Sequence, residues 1–239
     1  MENLFRKKVE TRQDTLETND YLLKAIKESE HVKIPKEYKD VEGNLLSAPN
    51  GPKSKLENEL HWKMVRTDSF KKWFGDWENN SENSSKVVDE NGEPVLTYHA
   101  TKHEIEELRP DSSSHLLTLG KGVYLTPDAL LSSIYGDKFY SCFLNVKTLV
   151  PESESNNNGS KFAKTLFYSL ARPKDTALSS KFEEKDIIKK DLYGENNQFS
   201  VLHRENIMIV PSNSQNPSVT AREKENSYRK ENWGNLEKN

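Results

Sequence analysis

Two short apolar runs end in side chains that suit the recognition of a nucleotide. The first run is Tyr98-His99-Ala100-Thr101, and the second is Val123-Tyr124-Leu125-Thr126. The imidazole of His99 can hydrogen-bond to a ribose hydroxyl, and the phenol ring of Tyr124 can stack on a planar heterocycle. A His and a Tyr delivered from the ends of two strands therefore point to a flat, hydroxyl-rich ligand of the nicotinamide nucleotide type.

The sequence around these residues indicates β-structure. Asn-Gly lies within Glu90–Glu93, between the apolar runs Lys86–Asp89 and Val95–His99, and predicts a hairpin because both residues tolerate positive φ. Four further apolar segments predict strands. They are Gly122–Thr126, Phe139–Val150 as the longest, and the closing pair Phe199–Leu202 and Ile207–Val210.

Helical periodicity dominates the first third of the chain. Leu and Ile at helical spacing predict a helix within residues 1–30, and apolar stripes predict further helix over 55–77, which Gly75 should end or kink. Pro and Asn-Gly make 31–55 loop-like. Later helices are expected from Thr126, as N-cap, to about Tyr135, and over 161–171 and 182–192. With more strands than helices in the second half, the core is predicted to be α+β.

Composition limits the class of protein. The chain has 239 residues, 33% of them hydrophobic, and a formal net charge of −3 with both signs interspersed. One domain with polar extensions is expected, and no basic block argues for nucleic-acid binding. Neither a secretory signal nor a membrane-length apolar run is visible. A single cysteine, Cys142, fits a reducing compartment, so we expect a cytoplasmic protein.

Other residues that could carry chemistry have structural interpretations. Cys142 lies in an apolar run and is expected to be a small buried hydrophobe. His99 and His103 are four residues apart without a third ligand nearby, so no metal site is predicted. The aromatic residues of the second helical segment are interpreted as packing and not as a nucleic-acid stacking platform; they are Phe70, Trp73, Phe74 and Trp77.

Five segments follow one another in a recognisable order. They are Arg66-Thr67, Phe70–Trp77, Val87–Pro94, Tyr98–Thr101 and Gly120–Thr126. Together they resemble the bacterial and phage ADP-ribosyltransferase-like domain of polyvalent mobile-element proteins. That family belongs to the His-Tyr-Glu branch that includes diphtheria toxin and the poly-ADP-ribose polymerases. The resemblance covers roughly residues 45–212 and implies a split antiparallel sheet with flanking helices.

The resemblance implies a role for each matching residue. His99 is implied to bind a ribose hydroxyl and orient NAD+, and Tyr124 to stack on the nicotinamide ring. Ala100 stands where the family usually has Gly, and its backbone N–H and C=O are implied to clamp the carboxamide, with Thr101 beside it. The Cβ of Ala100 would be strained if the backbone there required a positive φ. For Arg66 we consider either a bidentate bond to the NAD+ phosphate or a surface salt bridge.

The third motif position departs from the family. Gln198, at the start of Gln198–His203, stands where a Glu is expected. That Glu is implied to bind the 2′-hydroxyl of the nicotinamide ribose and to stabilise a cationic transition state, for which a neutral amide offers only a dipole. Three alternatives remain open: an inactivated Glu-to-Gln form, a natural Gln with weak or altered activity, or a catalytic carboxylate at Glu195 or Glu205.

The resemblance implies an intracellular toxin or phage-conflict effector in a bacterial or phage-infected cell. It would transfer ADP-ribose from NAD+ to a protein or nucleic acid and release nicotinamide, with an antitoxin or immunity protein as a further partner. The alternative is a non-catalytic module that binds NAD+, ADP-ribose or a partner on the same fold. The expected organisation is an N-terminal helical arm and linker over 1–55, the catalytic domain over 56–212 and a polar tail over 213–239.

Overall fold

A computed structural model of the chain describes residues 17–105, 108, 122–133, 135–151, 176–181, 197–201 and 203–211. These residues form helices and two small β-sheets, so the predicted α+β class is confirmed. The helices predicted over 161–171 and 182–192, the polar tail and Glu195 lie outside the described residues. None of the described helices has the length and apolar content that a membrane span requires.

The first sheet has three antiparallel strands. They are β1 (Thr97–Thr101), β3 (Lys138–Leu144) and β7 (Ile207–Val210), in the order β1-β3-β7. Asn91-Gly92 forms the predicted turn, in which Gly92 has a φ of +79° and the Asp89 N–H donates to the Glu93 carbonyl at 2.9 Å. The predicted hairpin is nevertheless short, because β1 pairs with β3 and not with the chain before the turn.

The second sheet has four strands, in the order β2-β6-β5-β4. They are β2 (Val123–Leu125), β4 (Thr148–Pro151), β5 (Thr176–Lys181) and β6 (Asn197–Val201). Strand β5, which the sequence did not predict, lies parallel to β4 and antiparallel to β6. The two closing strands predicted as neighbours along the chain, β6 and β7, are therefore in different sheets.

The prediction of one long strand over Phe139–Val150 is wrong. Strand β3 ends at Leu144 and β4 starts at Thr148 in the other sheet. Between them, the carbonyl of the fully buried Val146 accepts a hydrogen bond from the Lys86 N–H at 2.7 Å, and its own N–H donates to Ser85 Oγ at 3.1 Å. An uninterrupted apolar sequence hides this break, because the partners that cause it lie about 60 residues earlier in the chain.

The predicted helical segment over 55–77 contains two helices, α2 (Glu59–Met64) and α3 (Asp68–Phe74). Thr67 separates them, since its hydroxyl accepts a hydrogen bond from the Phe70 N–H and caps α3. Gly75 ends α3 with a φ of +102°, as predicted. The next helix, α4 (Ala129–Ser133), is capped by Asp128 and not by Thr126, because Asp128 Oδ1 accepts from two backbone N–H groups of the first turn.

Helical residues 17–29, here called α1, pack into the core. Ala25 is fully buried in one hydrophobic cluster with the helix α3 aromatics and with Phe143 and Met208 of the first sheet. Glu28 Oε2 accepts a hydrogen bond from the Ser69 N–H at 2.9 Å. This N–H lies in the first turn of α3 and has no partner within the helix. The N-terminal helix is thus integrated with the domain that it was expected to precede. Phe70, Trp73, Phe74 and Trp77 are all buried, which confirms their interpretation as packing.

A buried ion pair joins the connection between α2 and α3 to the turn before β1. Arg66 Nη2 lies 2.8 Å from Glu93 Oε1, with side-chain exposures of 7% and 1%. Ser54 Oγ donates to Glu93 Oε2 at 2.5 Å, and the guanidinium carbon lies 3.6 Å from the centroid of the Trp62 ring. Burial raises the pKa of Glu93, and its hydrogen bonds from Ser54 and Arg66 oppose that rise. The pair holds together three segments that precede the first sheet.

Replacing Gly75 by Ala should destabilise the protein more than the same change at Gly43. Both glycines have positive φ, but an added Cβ at Gly75 would overlap the backbone of Ser84, whereas the space at Gly43 is open. Gly43→Ala should cost about 1–2 kcal/mol from backbone strain alone, and Gly75→Ala about 1–3 kcal/mol more. Urea unfolding of the two variants measures the difference; equal losses would contradict this packing.

Glu93→Gln should strongly lower the free energy of unfolding, because it leaves the charge of Arg66 buried without its partner. The expected loss is about 3–5 kcal/mol. Glu90→Gln, which removes one partner of the exposed Lys55–Glu90 pair, is the matched control and should have little effect on stability. Thermal and urea unfolding would show the contrast, and a similar small effect for both variants would argue against the buried pair.

Candidate functional site

The two sheets meet at one antiparallel bridge. The Tyr98 N–H donates to the Thr126 carbonyl at 2.7 Å, and the Thr126 N–H donates back at 3.1 Å. In the described part of the chain, β1 and β2 share no other backbone bridge. Strand β1 pairs instead with β3 of the first sheet, and β2 pairs with β6 of the second sheet. We call the region beyond this bridge, where β1 and β2 are no longer paired, the fork; His99 and Ala100 border it from β1, and Tyr124 borders it from β2.

The side chain of His99 crosses the fork. Its Nδ1 lies 2.9 Å from the carbonyl oxygen of Tyr124. Because a carbonyl only accepts hydrogen bonds, Nδ1 must carry the proton, and Nε2 of the neutral ring is then an acceptor. Burial lowers the pKa of His99, which favours this neutral form. None of the described residues hydrogen-bonds to Nε2, so this atom can accept a hydrogen bond from a ligand hydroxyl.

The backbone of Ala100 is directed toward the fork. Both polar groups of Tyr98 bond to Thr126, so they point away from β3, and groups two residues along a strand point to the same edge. The N–H and C=O of Ala100 therefore point toward the β2 side, where the strands have separated. Ala100 is not among the described residues with positive φ, so its Cβ causes none of the strain considered above. The residue is only 4% exposed.

Thr101 ends β1 next to these groups. It is half-buried, pairs with Lys138 across the sheet, and its hydroxyl accepts a long hydrogen bond of 3.5 Å from the His103 N–H. Gly136, after α4, packs against the Thr101 carbonyl so closely that a Cβ there would overlap it. The end of β1 is thus fixed from the side of α4.

Tyr124 and position 198 lie on adjacent strands. Tyr124 is half-buried and pairs with Ser200, and Leu125 pairs with Phe199. One position further along this ladder brings Gln198 to the level of Thr126, the residue that forms the bridge. The register therefore brings the backbone of position 198, on the strand adjacent to β2, to the end of the fork that the Tyr98–Thr126 bridge closes.

Glu205 lies in a different place. It belongs to the 3₁₀ turn Arg204–Asn206 before β7, and its carboxylate is 3.7 Å from His203 Nδ1. Strand β7 pairs with the Leu144 end of β3, whereas His99 pairs with Tyr140. Four residues of strand separate these levels by about 13 Å. Glu205 as the catalytic carboxylate of this site is therefore disfavoured by the geometry.

The described contacts of Arg66 do not involve the residues of the fork. Its guanidinium donates to the carbonyls of Trp62 and Ser47 as well as to Glu93, and none of these belongs to β1 or β2. The salt bridge considered from the sequence is present, but it is buried and does not lie on the surface. Because Nη1 and Nη2 are bound to protein oxygens and Nε lies 3.7 Å from the carboxylate of Glu78, Arg66 is not included in the candidate site as a phosphate ligand.

Comparison with known proteins gives no relative. No protein-family model, no curated protein and no solved structure matches the chain. The site must therefore be interpreted from its own geometry.

The remaining chemical candidates are structural in the described residues. Across those residues, no group of three His, Cys, Asp or Glu side chains is arranged to hold a metal ion. Cys142 is fully buried in the second hydrophobic cluster, which confirms its expected role, and burial raises the pKa of its thiol to about 12.

Two residues at the site were missed from the sequence. Tyr140 is the cross-strand partner of His99, and Gly136 packs against Thr101. Gly136 follows a short helix, a position where glycine is common, which was an available signal. Tyr140 had no such signal, because a tyrosine in an apolar strand is most often a core residue.

The pH dependence of stability should report the neutral state of His99. Its pKa in the folded protein is lowered, so as pH falls below about 6.5 the unfolded chain binds a proton first and stability is lost. His99→Asn and His99→Gln cannot titrate in this range, and both should show a weaker loss between pH 7.5 and 5.

The two variants also differ from each other. The Asn amide can replace the Nδ1 donor to Tyr124, so His99→Asn should be the more stable at pH 7.5. Urea unfolding at several pH values measures both effects, and a wild-type slope retained in both variants would contradict the assignment.

Proposed function

We propose that this protein is an NAD+-dependent ADP-ribosyltransferase that acts as an intracellular toxin or effector. The observation that carries the proposal is the fork, in which a tautomer-fixed His99 lies beside Ala100, whose outer edge pairs with none of the described strands. Within the described residues, this is where a ring-nitrogen acceptor and a backbone donor–acceptor pair converge. The nicotinamide end of NAD+ needs both, an acceptor for a ribose hydroxyl and a backbone pair for the carboxamide.

Each residue has a distinct role in this proposal. His99 Nε2 accepts a hydrogen bond from a ribose hydroxyl, because Nδ1 is already bound to the Tyr124 carbonyl. The N–H and C=O of Ala100, with Thr101 beside it, bind the two ends of the nicotinamide carboxamide, and the ring of Tyr124 stacks on the nicotinamide. Since Ala100 is 4% exposed, entry of the ligand requires the fork to widen locally.

Position 198 determines the rate of the proposed reaction. A Glu there would offer a full negative charge to the cationic ribose as nicotinamide leaves, whereas Gln198 offers only an amide dipole. We expect this difference to be about 3 kcal/mol in transition-state stabilisation, or roughly two orders of magnitude in rate. Gln can still bind the 2′-hydroxyl, so affinity for NAD+ should be retained.

The proposed acceptor is a macromolecule, either a protein or a nucleic acid, in the cytoplasm of a bacterial or phage-infected cell. A cell that makes an active toxin of this kind needs an antitoxin or immunity protein as a partner. Gln198 specifically favours a second candidate function, a non-catalytic module that binds NAD+ or ADP-ribose, or a partner, through the same fork.

Transfer of label from NAD+ labelled in its adenylate part distinguishes the two functions. The wild-type chain and Gln198→Glu are each incubated with labelled NAD+ and cell extract, and macromolecular label and free nicotinamide are measured. We expect Gln198→Glu to transfer label about a hundredfold faster than wild type. Tight NAD+ binding without nicotinamide release by either chain would instead support the binding module.

The site assignment has its own control. NAD+ binding by calorimetry should be lost in a His99→Ala/Tyr124→Ala double variant and retained in His31→Asn, which changes an exposed histidine after the N-terminal helix. Absence of NAD+ binding by the wild type, or its survival in the double variant, would exclude the fork as the site.

A further inference from the structure

Tyr140 lies at the point where β1 and the chain that follows it meet β3. It is the register partner of His99, so the two side chains share one face of the first sheet, with ring centroids 6.5 Å apart. Its hydroxyl accepts a hydrogen bond from the Ile105 N–H at 2.7 Å. One side chain thus contacts both the His99 side of the sheet and the segment that leaves β1.

This hydrogen bond determines where residues 102–105 run. Because Tyr140 lies on the face that carries His99, a bond to Ile105 brings the chain after Thr101 back over that face. Gly136 allows the turn by its close approach to the Thr101 carbonyl, and Lys138 Nζ lies 3.5 Å from Glu104 on the exposed side. Tyr140 and Lys138 thus hold residues 102–105, here called the wall, on the face of the sheet that carries His99.

We infer that Tyr140 is a positioning residue of the fork, which sets the place of this wall and thereby the space beside His99 Nε2. The inference rests on the proposed function, since the ligand in that space is taken to be NAD+. Tyr140 does not itself bind the ligand. Its hydroxyl acts through the Ile105 N–H and its ring supports the imidazole of His99.

Tyr140→Phe tests the inference because it removes only the hydroxyl. We expect the dissociation constant for NAD+, measured by calorimetry on the full chain, to rise about three- to tenfold, as for the loss of one hydrogen bond. The Ile105 amide should exchange with solvent faster, while the thermal midpoint changes little. Tyr38→Phe, a half-buried tyrosine packed on Trp62 in the other cluster, is the matched control and should bind NAD+ like wild type.

The outcomes separate this inference from the function on which it rests. If wild type binds NAD+ and Tyr140→Phe binds it equally well, the positioning role is wrong and the proposed function stands. If the Ile105 amide exchanges at the wild-type rate in Tyr140→Phe, the hydroxyl does not hold the wall. If wild type does not bind NAD+ at all, the proposed function fails and the inference falls with it.

Discussion

Everything at the candidate site depends on the pair of backbone hydrogen bonds between Tyr98 and Thr126. This bridge connects the three-stranded and four-stranded sheets through β1 and β2. One further bridge, between Ala100 and Tyr124, would close the fork and bond the polar groups of Ala100 to β2. Because the strands separate instead, the imidazole of His99 takes over the connection by bonding to the Tyr124 carbonyl. The geometry thus exchanges a backbone bond for a side-chain bond that leaves one ring nitrogen available as an acceptor.

The strands that form the fork need support from outside, since a short strand with an unpaired edge gains little stability from its own hydrogen bonds. Strand β1 receives this support from β3, whose buried residues Cys142, Phe143 and Leu144 join both hydrophobic clusters. Helix α1 packs on the first cluster and also donates to the turn before β7, where the Thr18 hydroxyl bonds to the Glu205 carbonyl. The N-terminal helix is therefore part of the framework that supports the first sheet.

The titratable side chains of Arg66 and Glu93 have a different role from that of His99. Arg66 and Glu93 form a buried pair that organises the loops before β1, at a desolvation cost that is recovered only while both partners are present. His99 is half-buried, has no charged partner among the described residues, and its pKa is lowered by burial, which favours the neutral ring that accepts a hydrogen bond at Nε2. Arg66, which the sequence suggested as a phosphate ligand, therefore belongs to the structural framework. His99, with one described hydrogen bond, belongs to the candidate site.

The sequence by itself determined the α+β class, the aromatic packing set, the buried Cys142 and the end of α3 at Gly75, because apolar periodicity and glycine conformation are local properties. It also located β2 and β7 closely. Only the tertiary structure showed that Phe139–Val150 is divided between two sheets and that Arg66 is buried against Glu93. The tertiary structure also places Glu205 far from His99 and Tyr140 next to His99. These features depend on partners tens of residues away along the chain, and no local pattern in the sequence encodes which of those partners will meet.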